Sequence, residues 1–318
     1  MRRAKNLFLS MILLALASLL NGCYLLSQGG HFLSHQMRAR SLSRAQARWP
    51  QYEDLFEEAE RVRSFGKEVL HLEGSDSYTT FVKLERGYLV SVVSAARPTS
   101  FDRKRWSYPI LGEVPYKGFY RAEAAERLAR RLEADGWETV VRKVDGFSTL
   151  GFFRDPLYSF MAEYHPRRLA ELLLHEMTHA TVWIRDDVPL NEALATFVGK
   201  RAALSYLEAQ YGGTSELYRS GAERSEEQER YVSFMRELAE DLEALYKREL
   251  PDSEILDRRA EIFANAKETF SRSYDDWFAS DRYRFFLELE LNNAYIDLFR
   301  TYNEDIDLIE SLYRRKGE

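Results

Sequence analysis

Residues 172–197 read LLLHEMTHATVWIRDDVPLNEALATF and carry His175, Glu176, His179 and Glu192 among apolar, helix-forming neighbours. In a helix, side chains four apart lie one above the other, so His175 and His179 present two imidazoles to one point, with Glu176 beside them. Two imidazoles at this spacing form a metal-binding pair, and the glutamate between them can take a proton from a water at the metal, as in the H-E-x-x-H signature. The flanks support a helix: Pro166 suits a first turn, and Leu169, Leu172, Leu173, Met177, Ala180 and Ile184 recur at helical spacing. Two helices are therefore expected, over 166–184 and 189–211. At ordinary residue frequencies the bare motif arises by chance in about one chain in a hundred of this length, so its surroundings must decide. The plain alternative is a buried helix whose two histidines are satisfied by hydrogen bonds.

Val182 and Arg185 stand where a metzincin carries Gly and His, which excludes that class. Instead, a turn at 185–187 leads to the second helix, with Glu192 in its first turn. Antiparallel helices joined by so short a turn bring that carboxylate to the two imidazoles and leave a fourth position for water. Here Asn191-Glu192-x-x-Ala195 resembles the second-helix motif of the gluzincins, zinc peptidases whose ligands are two histidines and a glutamate. The resemblance implies His175, His179 and Glu192 as ligands of Zn2+, and Glu176 as the general base. Two features depart from the pattern. Only twelve residues separate His179 from Glu192, fewer than in the best-known gluzincins, which keeps Asp186 and Asp187 as rival third ligands. Thr196 stands where many relatives have an aspartate that holds a ligand histidine, so that support must come from elsewhere.

The chain has 318 residues, 45% hydrophobic and 14% aromatic, enough to bury a sizeable core and unlike a disordered protein. Residues 1–22 differ from the rest. Arg2, Arg3 and Lys5 precede an apolar run over 7–20, and Leu20-Asn21-Gly22-Cys23 follows, the layout of a secretory signal. Cys23 is the single cysteine, placed where a bacterial lipoprotein signal has its lipid acceptor, although Asn21 is unusual there. An ordinary signal peptide or an uncleaved anchor is the alternative. Lipidation at Cys23 would tether the chain to a membrane of the bacterial cell envelope, with Tyr24 in place of an aspartate pointing to the outer membrane, facing the periplasm. Loss of Arg2, Arg3 and Lys5 would leave 42 basic against 51 acidic residues, a formal charge of −9, which argues against a nucleic-acid partner. No disulfide can form within the chain.

Residues 23–43 read as a tether, with His31 and His35 four apart but no glutamate after the first. A mixed α/β part is expected over 44–165. It has a helix over 56–70, strands over 78–83 and 87–93 about a charged turn, an irregular segment over 106–120, a helix over 121–135 and a strand over 138–144. Residues 147–156, FSTLGFFRDP, precede the metal helix and offer either an extended edge for peptide or a packing turn. Residues 166–318 form the helical part. After Gly212-Gly213, an apolar stripe from Tyr231 to Tyr246, a break at Pro251 and a helix over 255–274 read as a helical hairpin, and a last helical region holds Asn292-Asn293.

Several of these motifs occur together in one family. Val-Pro-Tyr-Lys-Gly-Phe-Tyr (114–120), Ser-Thr-Leu-Gly-Phe-Phe-Arg-Asp-Pro (148–156), His-Glu-Met-Thr-His (175–179), Leu-Asn-Glu-Ala-Leu-Ala-Thr-Phe-Val (190–198) and Leu-Asn-Asn-Ala (291–294) stand in the order found in the predicted aminopeptidases of bacteria. The chain resembles that family over most of its length. The resemblance implies a gluzincin-type zinc metallopeptidase acting on a peptide or protein substrate, and a lipoprotein. The fold expected is α+β and mostly helical, zincin-like, with a small sheet packed on the H-E-x-x-H helix and a C-terminal helical region. An oxyanion partner is not assigned among nineteen tyrosines and forty-five basic residues; Tyr283 and Tyr295 are the candidates in the C-terminal helices. The competing function is a zincin-fold lipoprotein that binds a partner without catalysis, and an intact Glu176 argues against it.

Overall fold

The computed structural model describes residues 37–73, 76–108, 112–145, 155–185, 187–301 and 304–316. The expected leader, Cys23, the His31/His35 pair, Asp186 and most of the 147–156 segment lie outside them. The fold is α+β and mostly helical, and among the described residues no helix is long and apolar enough to cross a membrane.

The first half opens with β1 (Arg40–Ser41), α1 (Leu42–Arg48) and α2 (Glu53–Glu68), followed by β2 (Thr80–Val82), β3 (Val90–Ala96), β4 (Trp106–Tyr108), β5 (Gly112–Val114) and β6 (Tyr116–Phe119). Next come α3 (Ala122–Ala134), β7 (Glu138–Val144) and β8 (Leu157–Tyr158). Gly136 closes α3 at φ +78°, a backbone conformation that favours glycine. Strand β3 is the centre of an antiparallel sheet ordered β6-β3-β7, with Val92 opposite both Gly118 and Arg142. A second sheet, β1-β2-β8, pairs β2 with β8 in parallel, Phe81 against Leu157. The two expected strands at 78–83 and 87–93 are thus present in part but belong to different sheets. The described residues of 106–120 are not irregular: they hold the antiparallel pair β4–β5 and then β6, with Pro115 confined to the joint between strands, where no ladder donor is needed.

The second half is helical: α4 (Pro166–Thr181), α5 (Val188–Tyr211), α6 (Glu216–Tyr246), α7 (Asp252–Trp277), α8 (Phe285–Glu288), α9 (Asn293–Thr301) and α10 (Glu304–Lys316). Helix α4 ends at Thr181, three residues before the expected boundary. Val182 is extended, and the β-branched and aromatic run Val182-Trp183-Ile184 has weak helix propensity. Period-2 alternation along β3 divides the packing. Val90 and Val92 join a core with Phe56, Phe81, Leu157, Leu173, Leu174 and Tyr206, while Val93 and Ala95 face α3 with Ala125 and Leu132. Leu173 and Leu174 are fully buried, and each stabilises the seat of α4 by about 1.5–3 kcal/mol.

A separate aromatic core joins α6, α7, α8 and α9 through Tyr231, Phe234, Phe270, Tyr274, Phe286 and Ile296. The Asn292-Asn293 pair fastens this layer to the sheet. The fully buried Asn293 amide donates to the carbonyls of Arg97, Pro98 and Ser100, and its oxygen accepts from the Tyr246 hydroxyl. Asn292 donates to the Thr139 carbonyl. Tyr283 stacks on Tyr231, and the Tyr295 hydroxyl is bonded to that of Tyr231 at 2.8 Å, so both oxyanion candidates belong to this core.

Candidate metal centre

Helices α4 and α5 run antiparallel, because residues farther along α5 meet residues earlier in the chain: Asn191 meets Ile184 just past the end of α4, Glu192 meets His179, and Gly199 meets Glu171. Their closeness depends on Gly199. A Cβ there would stand 2.8 Å from the Glu171 carbonyl oxygen and 3.1 Å from His175 Cβ, so only a glycine allows the two backbones this near beside the first histidine.

Asn191 sets the other end of the pair. It is 1% exposed; its Oδ1 accepts from the Ile184 N–H at 2.8 Å, and its Nδ2 donates to the Ile184 and Asp187 carbonyls, each at 2.7 Å. One side chain thereby satisfies three backbone groups of the short connector and folds it back. Asp187 caps α5, its Oδ1 accepting from the Leu190 N–H at 3.1 Å, and is occupied as an N-cap rather than turned to the histidines.

With both ends held, His175 Nε2 and His179 Nε2 lie 3.1 Å apart, and the two Glu192 oxygens lie 3.5 Å from the first and 3.4 Å from the second. Among the described residues this is the group of His, Cys, Asp and Glu side chains that converges closely enough to hold a metal ion. Tetrahedral zinc with bonds of about 2.0–2.2 Å places its donors roughly 3.3 Å apart; taking one ligand atom from each residue, the three donors here lie within 4.8 Å of one another. The donor chemistry agrees, since two imidazoles and one carboxylate are a common zinc ligand set. Without a metal, the same contacts serve a charged imidazole paired with a carboxylate.

The electrostatics of the cluster are coupled. Glu192 is pushed up by burial, but hydrogen bonds to and the charges of the two histidines outweigh that and bring its pKa to about 2. His179 is disfavoured as a cation by burial, yet its contact with Glu192 and the charges of Glu192 and Glu176 leave its pKa raised. Burial, offset in part by the charges of the two histidines, raises the pKa of Glu176. A carboxyl held in this way is suited to accept and return a proton nearer neutral pH than an exposed glutamate.

The Nδ1 of His179 is buried with no hydrogen-bond partner among the described residues. Tyr78 is close enough to Glu176 to feel its charge. It is buried, its backbone is left-handed at φ +61°, its N–H donates to the Asp155 carbonyl, and its hydroxyl is raised first by burial and then by the Glu176 charge. A second histidine–hydroxyl pair, His165 Nε2 with Ser220 Oγ at 2.9 Å, has no catalytic polarity. His165 Nδ1 already accepts from the Arg167 N–H, so in the neutral ring Nε2 carries the proton and donates to the serine.

Of the predicted site residues, the structure brings His175, His179 and Glu192 together, sets Glu176 beside them and turns Asp187 away; Asp186 and Cys23 lie outside the described residues. The positioning roles of Gly199 and Asn191 were not drawn from the sequence. A glycine inside a long helix is the signal that flags Gly199, since it costs about 1 kcal/mol of helix stability and calls for a packing reason.

Residues 27–318 match the family model described as "Putative aminopeptidase". No curated protein and no solved structure matches the chain.

Proposed function

Because the chain belongs to the putative aminopeptidase family, we propose that it is a zinc metallopeptidase of the gluzincin type on a zincin-like fold, with His175, His179 and Glu192 holding the metal and Glu176 as general base. The observation that carries this reading is the convergence of His175, His179 and Glu192 across two helices, one ligand atom from each within 4.8 Å of the others, with a half-buried carboxylate beside them. Zinc, when bound, supplies a Lewis acid for a scissile carbonyl and lowers the pKa of a water.

The protein's own groups do the rest. Glu192 supplies the negative charge that makes the donor set bind a dication better than two neutral imidazoles would. The Glu176 carboxylate takes a proton from the attacking water as its oxygen bonds to the carbonyl carbon. It then gives that proton to the amine as the C–N bond breaks, so the base is regenerated. Burial around Glu176 keeps bulk water from levelling its basicity. We also propose that Cys23 carries the lipid that holds the enzyme at a membrane of the cell envelope, with peptide or protein as substrate.

The test is digestion of a mixed peptide library by the purified chain, read by mass spectrometry with and without a chelator. Cleavage abolished by the chelator and restored by zinc supports the reading, and the positions of the cuts report whether residues leave from an end. A zinc-loaded protein that cleaves no peptide contradicts it and leaves a binding protein on this fold.

A further inference from the structure

The segment that leaves α4 is apolar, and all three of its side chains face water: Val182 is 43% exposed, Trp183 45% and Ile184 37%. Single exposed hydrophobic residues are normal on a protein surface, but three in succession that are also held still are not. Val182 is extended at φ −132°, ψ 122°, and both the N–H and the C=O of Ile184 are bound by the buried Asn191. The Trp183 ring leans against His179, centroids 5.9 Å apart with planes at 62°. The fold therefore spends ordering entropy on an apolar surface it does not bury, at the edge of one of the three converging donors.

The position suggests the occupant. A carbonyl brought to the donor group lies beside His179, and neighbouring Cα atoms of a peptide are about 3.8 Å apart, so the side chain next to that carbonyl is within reach of the indole. We propose that Trp183, flanked by Val182 and Ile184, is the floor of a substrate subsite that takes the apolar or aromatic side chain flanking the scissile bond; the proposal rests on the peptidase reading above. An aromatic or aliphatic side chain covers the indole and removes both surfaces from water, whereas an alanine leaves most of it wet.

The test is calorimetric binding to the full, zinc-loaded chain carrying Glu176→Gln, so that peptide is not consumed, using hexapeptide pairs that differ only by Phe or Ala at one position, scanned along the peptide. At one position the Phe peptide binds about 10-fold or more tighter than its Ala counterpart, the scale set by burying extra carbon in an apolar pocket. Trp183→Ala reduces that ratio to within about 3-fold, and Trp183→Phe keeps most of it. Zinc content is measured on each variant. If Trp183→Ala loses metal, the double variant Val182→Ser/Ile184→Ser, which leaves the His179 contact in place, lowers the ratio instead. Equal affinities for every pair, or a preference unmoved in all of these variants, overturn the proposal. Trp183-dependent binding by a wild-type chain that hydrolyses nothing keeps the subsite and sinks the peptidase reading; hydrolysis with no Trp183-dependent preference does the reverse.

Discussion

Gly199→Ala perturbs the candidate metal centre without touching a donor atom. The added methyl would sit 2.8 Å from a backbone oxygen of α4 and 3.1 Å from the Cβ of His175, where comfortable contacts are about 3.5 Å. Neither neighbour is the free end of a side chain, so α4 and α5 must part by roughly 0.5 Å. Overpacking of this kind costs about 1–3 kcal/mol, against which alanine returns about 1 kcal/mol of helix propensity. The net expectation is a loss of about 1 kcal/mol in the metal-free protein, near 2 °C in melting temperature for a chain of this size. The larger effect is on zinc. His175 moves with α4 and Glu192 with α5, and a shift of that size exceeds the roughly 0.2 Å tolerance of a zinc site, so affinity falls about 10-fold or more. Gly66→Ala is the control, because its methyl would meet the Cε and Sδ of Met177 and the Cδ2 of Leu174, side-chain ends rather than backbone, of which the flexible methionine makes the closest contacts and can move aside. That variant keeps wild-type zinc affinity. Thermal unfolding with and without zinc, combined with competition against a chromophoric chelator, measures both quantities. A Gly199→Ala protein about 1 kcal/mol more stable than wild type, with unchanged zinc affinity, refutes the close approach of the helices and its role in placing the donors.

Glu192→Ala loses most bound zinc in a metal analysis, whereas Asp187→Ala keeps it and loses only about 1 kcal/mol of helix capping; full occupancy in Glu192→Ala would mean that another residue is the third ligand. The metal-free protein has a defined pH window. The raised pKa of His179 contributes stability below about pH 6.5 that is lost as pH rises through the folded value, and Glu192, lowered from 4.5 to about 2, contributes above pH 4.5 and is lost as pH falls toward 2. The zinc-loaded protein behaves in the opposite sense on the His179 side, since protons compete with metal: chelator titrations between pH 5.5 and 8 show affinity rising with pH, and a flat profile would remove His179 from the ligand set. Metabolic labelling with a fatty-acid probe marks the wild type and leaves Cys23→Ala unlabelled, and equal labelling of the two discards the anchor.

The parts of this arrangement legible in the sequence are those that depend on local periodicity. His175 and His179 share a helix face because they are four residues apart, with Glu176 three before His179 on a neighbouring part of it, and Glu192 follows because a short connector folds a second helix back on the first. Periodicity also misleads. Ile184 sits four residues beyond Ala180 and extends the apparent stripe, but Asn191 takes both its backbone groups, and a tertiary hydrogen-bond pair outweighs one more turn of weak helix. Gly199 was not legible as a contact, since which face of α5 meets α4 is settled by packing across the whole core. Strand partners were hidden for the same reason: β2 and β3 adjoin in sequence but pair with β8 and with β6 and β7, contacts that span tens of residues. The Pro- and Gly-rich segment around Pro115 masked β6, because composition records the joint between strands more loudly than the strands themselves. Tyr283 and Tyr295 are the reverse case, polar enough to suggest chemistry and apolar enough to be buried in an aromatic core.

Glu176→Gln bears most directly on the claim that this helix pair hydrolyses peptides. The substitution keeps shape and size beside the donors while removing the base, so the variant retains about one zinc per chain and the wild-type melting temperature. Its turnover of a cleaved library peptide falls about 10²- to 10⁴-fold, in kcat more than in KM. Metal content and turnover measured on the same samples give the answer. Loss of turnover at full zinc occupancy is the result predicted; a zinc-loaded Glu176→Gln protein that cleaves peptide as fast as wild type contradicts it.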